Sequence, residues 1–204
     1  LKDALEAVLP TPPAVARCAK SDTTDLLSLS IPLRPRTGAD VALLPYDASL
    51  VRAAVTANKF HHYSHAADLL AAPLAKFVAA LPEPVIIIPI PLAPNRLRKR
   101  GHNQVRTVAD RVASTTSITI DDTMLSRIRE TIPQTRLNGK ERRENVRDAF
   151  TARPSRVVTT ARTVILLDDV VTTGATMAAA RAALAPHVPT GTDLICVALA
   201  YSGN

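Results

Sequence analysis

Residues 163–176 read TVILLDDVVTTGAT. Val164, Ile165, Leu166 and Leu167 form an unbroken apolar run, which suits a strand covered on both faces. The run ends in Asp168 and Asp169, so the pattern predicts two carboxylates at the carboxyl edge of a sheet, where open α/β folds carry their ligand crevice. Thr172, Thr173, Gly174, Ala175 and Thr176 follow, and residues 177–184 are helix formers. Small hydroxyl residues and one glycine between a strand and a helix can wrap an anion. Backbone N–H groups converge on it, Gly174 permits close approach, and the helix N-terminus adds partial positive charge. One stretch therefore offers an anion cradle beside two acids. That pairing suits a sugar phosphate, with hydroxyls on the acids and phosphate on the loop. A Walker A loop is excluded because no lysine follows Gly174, and a dinucleotide fingerprint because the loop holds one glycine.

The chain has 204 residues and an apolar content of 47%, enough for one domain with a core and a small appendage. Its net charge of +7 favours anionic partners, either phosphorylated small molecules or nucleic acid. Aromatic residues make up only 3%, which argues against single-strand binding by base stacking. Cys18 and Cys196 are far apart and form no CxxC, so the cysteines indicate neither a disulfide framework nor a zinc site. The longest apolar stretch, around residues 85–92, is broken by prolines and falls short of the ~20 residues of a membrane span. With no secretory signal at the amino end, a soluble cytoplasmic protein is expected.

Residues 1–40 read as an appendage: a short amphipathic helix over 1–9, then a proline-marked loop. Residues 41–204 read as the main domain. A strand over 41–44 leads into a helix capped by Asp47 or Ser49, with Leu50, Val51, Ala54 and Val55 at helical spacing up to Lys59. His61, His62 and His65 lack the carboxylate of an HExxH pattern and read as a surface helix start. Pro73 is expected to kink or break the helix that follows. A second buried strand over 85–90 feeds PLAPNRLRKRGHNQ, residues 91–104, which places Arg96, Arg98, Lys99 and Arg100 in a strand-to-helix loop suited to a diphosphate. A helix over 103–113, a strand over 117–120, and a ribbon pairing 124–129 with 148–151 come next. Inside that ribbon lie a loop start and a charged helix over 138–146; a last strand spans 193–201. The alternation predicts an α/β fold, an open, mostly parallel, doubly wound sheet with flanking helices.

Taken together, ILLDDVVTTGAT, IPIPLAPNRLRKRGHNQ and IPQTRLNGKERRENVRDAF resemble, in order and spacing, the ComF (ComFC-like) branch of the type I phosphoribosyltransferases. The resemblance covers roughly residues 41–201. It implies that the chain binds phosphoribosyl pyrophosphate (PRPP), with Asp168 and Asp169 on the ribose hydroxyls and, indirectly, on Mg²⁺. Thr172, Thr173, Gly174, Ala175 and Thr176 would cradle the 5′-phosphate, and Arg96, Arg98 and Arg100 would meet the diphosphate. Gln134, Arg136, Lys140, Arg142 and Arg143 would belong to a flexible loop that closes over the substrate, with Arg142 aiding catalysis alongside the two acids. The family usually carries an N-terminal cysteine zinc ribbon, which this chain lacks, so no zinc is expected. The family also usually has an aromatic residue where His102 stands. Thr172 occupies the place where purine-base transferases carry an Asp, which points away from purine salvage.

Two functions stay open on this reading. One is Mg²⁺-dependent transfer of phosphoribosyl from PRPP to an amine or nucleobase-like nitrogen, with diphosphate release. The other is a non-catalytic PRPP or nucleotide module within DNA uptake, where the family's link to competence suggests single-stranded DNA or the competence machinery as partners. The cationic closing loop favours the enzyme. A homodimer is compatible with either. A receiver-like phosphoacceptor domain is disfavoured, because there the acids close the first strand and the TTG segment would have no role.

Overall fold

The computed structural model describes residues 10–35, 39–129 and 149–203. The expected helix over 1–9, the charged helix over 138–146 and the closing-loop residues Gln134, Arg136, Lys140, Arg142 and Arg143 lie outside the described residues. Five strands form one parallel sheet: β1 (Val41–Pro45), β2 (Val85–Pro89), β3 (Thr119–Ile120), β6 (Thr163–Val171) and β7 (Asp193–Tyr201), in the order β1-β7-β6-β2-β3. Strands β4 (Leu125–Arg127) and β5 (Phe150–Ala152) make a separate antiparallel ribbon. The expected open α/β sheet is therefore present.

The central strands carry continuous apolar runs, residues 85–88 in β2 and 164–167 in β6, because both faces of the sheet are covered. Side chains alternate between the faces. Val85, Ile87, Ile165 and Leu167 pack against α3 (Ser49–Phe60), α4 (Ser64–Val78) and α6 (Gln104–Ala113). Ile86, Ile88, Val164 and Leu166 pack against the ribbon and α7 (Ala175–Leu184).

The topology decides where a ligand can enter. From β2 the chain passes through α5 (Pro94–Arg100) and α6 outward to β3, whereas from neighbouring β6 it passes through α7 the other way to β7. Adjacent strands whose connections leave in opposite directions mark a topological switch point, which opens a crevice beyond their carboxyl ends. Asp168 and Asp169 do not follow the strand, as the sequence pattern suggested, but lie within it. β2 ends at Pro89, paired with Leu167, while β6 continues beside β7 to the pair Val171 and Tyr201. The acids therefore stand in the strand just above the end of β2.

Several local expectations need correction. The basic stretch after β2 is a helix, α5, begun by Pro94 and ended by Gly101, whose φ of 79° lets its N–H reach Leu97 O at 2.7 Å. Neither Asp47 nor Ser49 caps α3; Ala48 holds that position and Asp47 pairs with Arg52 at 3.7 Å. Helix α4 runs through Pro73 without a break. His61 and His62 lie between α3 and α4, so only His65 belongs to the helix that the histidines were expected to start.

Residues 10–35 are more ordered than their prolines suggested. They form α1 (Pro13–Cys18) and α2 (Thr23–Leu29), the latter begun by a capping box between Asp22 and Asp25. Cys18 and Leu26 are fully buried in the core under α3 and α4, and Leu33 bridges to Ala42 of β1. Among the described residues, no helix is long and apolar enough to cross a membrane. Leu26→Ala is expected to destabilise the protein by about 2–5 kcal/mol, the usual cost of emptying a closed core site. Urea unfolding should show one transition at lower midpoint; an unchanged midpoint, or a separate early transition, would show that α2 is not part of this core.

Candidate functional site

Period-two alternation along β6 sends the adjacent acids to different surroundings. Asp169 follows Ile165 and Leu167 towards α3 and α6, where it is 7% exposed. Its Oδ2 accepts from Lys59 Nζ and from Gln104 Nε2, each at 2.7 Å, and its Oδ1 from Val170 N at 2.6 Å. Asp169 thus accepts three hydrogen bonds from the protein. Asp168 follows Leu166 towards the ribbon, is half-buried, and accepts one hydrogen bond, from Asp169 N at 2.8 Å. Burial first, and the negative charge of Asp169 second, push the Asp168 carboxyl up to about 7; the Asp169 N–H, Lys59 and Arg127 pull the other way.

Two hollows meet here. One, of about 170 Å³, is lined by the cations Lys59, Arg96, Arg100 and Arg127 around the two acids and Gln104. The other, of about 40 Å³, is formed by residues 170–177 with Asp168. They share Asp168, Val170 and Thr176. In the smaller hollow Gly174 adopts φ 72° as the N-cap of α7, a conformation that favours glycine and lets α7 start directly from the turn. The Thr173 hydroxyl is buried there with no hydrogen-bond partner. A buried polar atom left unpaired costs stability, so such atoms gather where a ligand completes them.

The expected residues are distributed as follows. Asp168, Asp169, Thr172, Thr173, Gly174, Ala175 and Thr176 line the two hollows together, and Arg96 and Arg100 join them from α5. Arg98 does not line them; it is exposed and donates to Asn95 on its own helix. Arg100 is held by Gln104, its guanidinium 5.2 Å from the centre of the Phe60 ring. Burial lowers the Arg100 pKa while the Asp169 charge raises it. Sequence reasoning missed three residues: Lys59 at the end of α3, Gln104 at the start of α6, and Arg127 on β4, which stacks over Phe150 at 5.2 Å. Each had a signal. Lys59 continues the i, i+4 stripe of Val51 and Val55, Gln104 precedes Val108 by four, and Arg127 alternates inward with Leu125. A polar residue in a core register needs a reason.

The chain is similar to Competence protein F of Haemophilus influenzae, 35% identical over 103 residues that make up 50% of this chain and 45% of the relative. It is also similar to DNA utilization protein YhgH of Salmonella typhi, 31% identical over 105 residues, 52% of this chain and 45% of that protein. These relatives support a ComF-family assignment. No family model matches the chain. The chain spans about half the length of the curated relatives it matches, 45% in each case, so the ComF resemblance does not by itself carry over an activity.

The raised Asp168 carboxyl has a consequence for stability. Its ordinary value is 3.8 and its folded value about 7, so the folded chain binds more protons between those limits and stability falls as pH rises through them. Asp168→Asn removes that penalty. The variant is expected to unfold at higher denaturant concentration than the unaltered protein at pH 8, with most of the advantage gone by about pH 4. Equal midpoints at pH 8 would mean that the crowding of the two acids is relieved in solution.

Proposed function

We propose that the chain binds PRPP and transfers its phosphoribosyl group to a nitrogen acceptor, within a process that serves DNA uptake or use. One observation carries the reading: a small hollow with an unpaired buried hydroxyl and a larger hollow lined by four cations meet at a carboxylate. A ligand matching that order has a phosphate at one end, hydroxyls in the middle and a larger anion at the other end. PRPP has that order. The 5′-phosphate would take the N–H groups and hydroxyls of residues 172–176, the ribose hydroxyls would meet Asp168, and the diphosphate would lie among Lys59, Arg96, Arg100 and Arg127. The DNA context rests on the names of the two relatives, one a competence protein and one a DNA utilization protein.

The donor set also fits magnesium. The described residues hold no group of three or more His, Cys, Asp or Glu side chains that would cage a metal. Mg²⁺ is typically bound by one or two carboxylates, with ligand phosphates and water completing its shell. Asp168 supplies that carboxylate, and when bound the ion would neutralise the leaving diphosphate. In the transfer, the bond from ribose C1 to the diphosphate oxygen breaks and the acceptor nitrogen's lone pair forms the new C–N bond, with the acceptor giving up a proton. Positive charge grows on the sugar and negative charge on the diphosphate. Asp168 faces the former, and the guanidinium and ammonium groups face the latter, held in place beforehand. A second reading, a PRPP or nucleotide module without turnover, uses the same pocket and is favoured by relatives named for DNA handling rather than for a reaction.

Calorimetry with PRPP, with and without Mg²⁺, beside a diphosphate-release assay over a panel of amines and nucleobases separates the readings. Magnesium-dependent binding with release for one acceptor is the expected result. Binding without release for any acceptor favours the second reading, and no binding overturns both. Thr173→Val removes only the unpaired hydroxyl. It should weaken ribose 5-phosphate binding about tenfold, as loss of one hydrogen bond to a charged group does, without lowering stability. Unchanged affinity would remove Thr173 from the cradle.

A further inference from the structure

We infer that Gln104 is a positioning residue that couples the acid pair to the diphosphate-facing Arg100; the inference rests on the PRPP reading. Gln104 is 4% exposed and opens α6, where Asn103 fixes the helix start by accepting from Val105 N at 3.0 Å and donating to Ile90 O at 3.0 Å. Its backbone carbonyl accepts from Asn58 Nδ2 at 3.0 Å, which draws in the end of α3 that carries Lys59. Its side chain works in both directions at once. Nε2 donates to Asp169 Oδ2 at 2.7 Å, and Oε1 accepts from Arg100 Nη1.

A primary amide can donate to a carboxylate and accept from a guanidinium through its two ends. A glutamate here would set a second negative charge against Asp169. A lysine would set a second cation beside Lys59 and lose the acceptor for Arg100. An apolar residue would leave Asp169 with Lys59 and Val170 N, but would leave Arg100, among the described residues, with the Phe60 ring and the Asp169 charge and without its hydrogen-bond acceptor. Gln104 therefore fixes the guanidinium in the cleft before an anion arrives, and an ordered donor loses less freedom on binding than a loose one. Gln104 lines the larger, cationic hollow and not the smaller one formed by residues 170–177 with Asp168, so the effect should be confined to the diphosphate end.

The test is a double-mutant cycle read by calorimetry with inorganic diphosphate plus Mg²⁺, and with ribose 5-phosphate as the control ligand. Gln104→Met should weaken diphosphate binding about tenfold in the unaltered background, and hardly at all when Arg100→Met is already present, because residues acting through one contact are not additive. Ribose 5-phosphate affinity should stay within about twofold. A purely structural role would lower both affinities together, and factors that multiply across the cycle would show that Gln104 does not act through Arg100; either result overturns the inference. Gln104→Leu, run in the same cycle, likewise removes the acceptor for Arg100 without adding charge, and serves if the Met variant does not fold. Ribose 5-phosphate binding without diphosphate binding in the unaltered protein would overturn this inference while sparing the phosphate cradle. Failure of both ligands to bind would overturn the PRPP reading itself.

Discussion

Two carboxylates on neighbouring residues of a buried strand repel each other far more strongly than they would in water, because little solvent screens them. The contact between Lys59 and Asp169 is what makes the pair tolerable, and its geometry constrains everything around it. It requires α3 to end over the tip of β6. It brings Asn58 against the start of α6, and it leaves Gln104 wedged between the acid and Arg100. A partly buried ion pair of this kind is poor evidence of stability, since desolvation opposes the attraction, but removing one partner leaves an uncompensated charge. The contact is better understood as a device that assigns unequal duties to two equal side chains. Asp169 is consumed by the protein, while Asp168 keeps its carboxyl for something else.

That inequality follows from the geometry of a strand. Side chains alternate, so two acids in sequence cannot share one face of a sheet. The face covered by α3 and α6 supplies a lysine and an amide to one of them. The face covered by the ribbon and α7 supplies Arg127 and the turn of residues 172–176 to the other. The switch in strand connectivity between β2 and β6 then ensures that no crossover helix runs over this point. Charge, alternation and topology converge on one crevice, although they arise at different levels of the structure.

Much of this was legible in the sequence. The continuous apolar runs at residues 85–88 and 164–167 belong to strands buried on both faces, and such runs arise in parallel sheets. The TTGAT turn after the acids marked the strand-to-helix junction. Other features were opaque for physical reasons. Strand β6 outlasts its apolar run because β7 continues to pair with it, and pairing depends on a partner 30 residues away. Residues 10–35 looked like loop because prolines punctuate them, but Pro13 sits at a helix start, where its missing N–H costs nothing, and Asp22 with Asp25 closes a capping box. Lys59, Gln104 and Arg127 were passed over as helix-end or ribbon polarity. Their registers, each in phase with buried apolar neighbours, held the information; only the fold shows that three separate phases point into one space.

The chain's excess of positive charge gains a specific meaning here. Lys59, Arg96, Arg100 and Arg127 gather around two carboxylates, one of which holds its proton near neutrality. On the PRPP reading, an anion arriving alone would make Asp168 cling to that proton, because added negative charge nearby favours the neutral carboxyl. The same anion carrying a divalent cation would do the reverse, because added positive charge nearby favours the ionised carboxylate. Affinity for ligand and ionisation of Asp168 are then two views of one equilibrium. On that reading, the unfavourable crowding of the acid pair near the carboxyl end of β6 would be relieved when ligand binds.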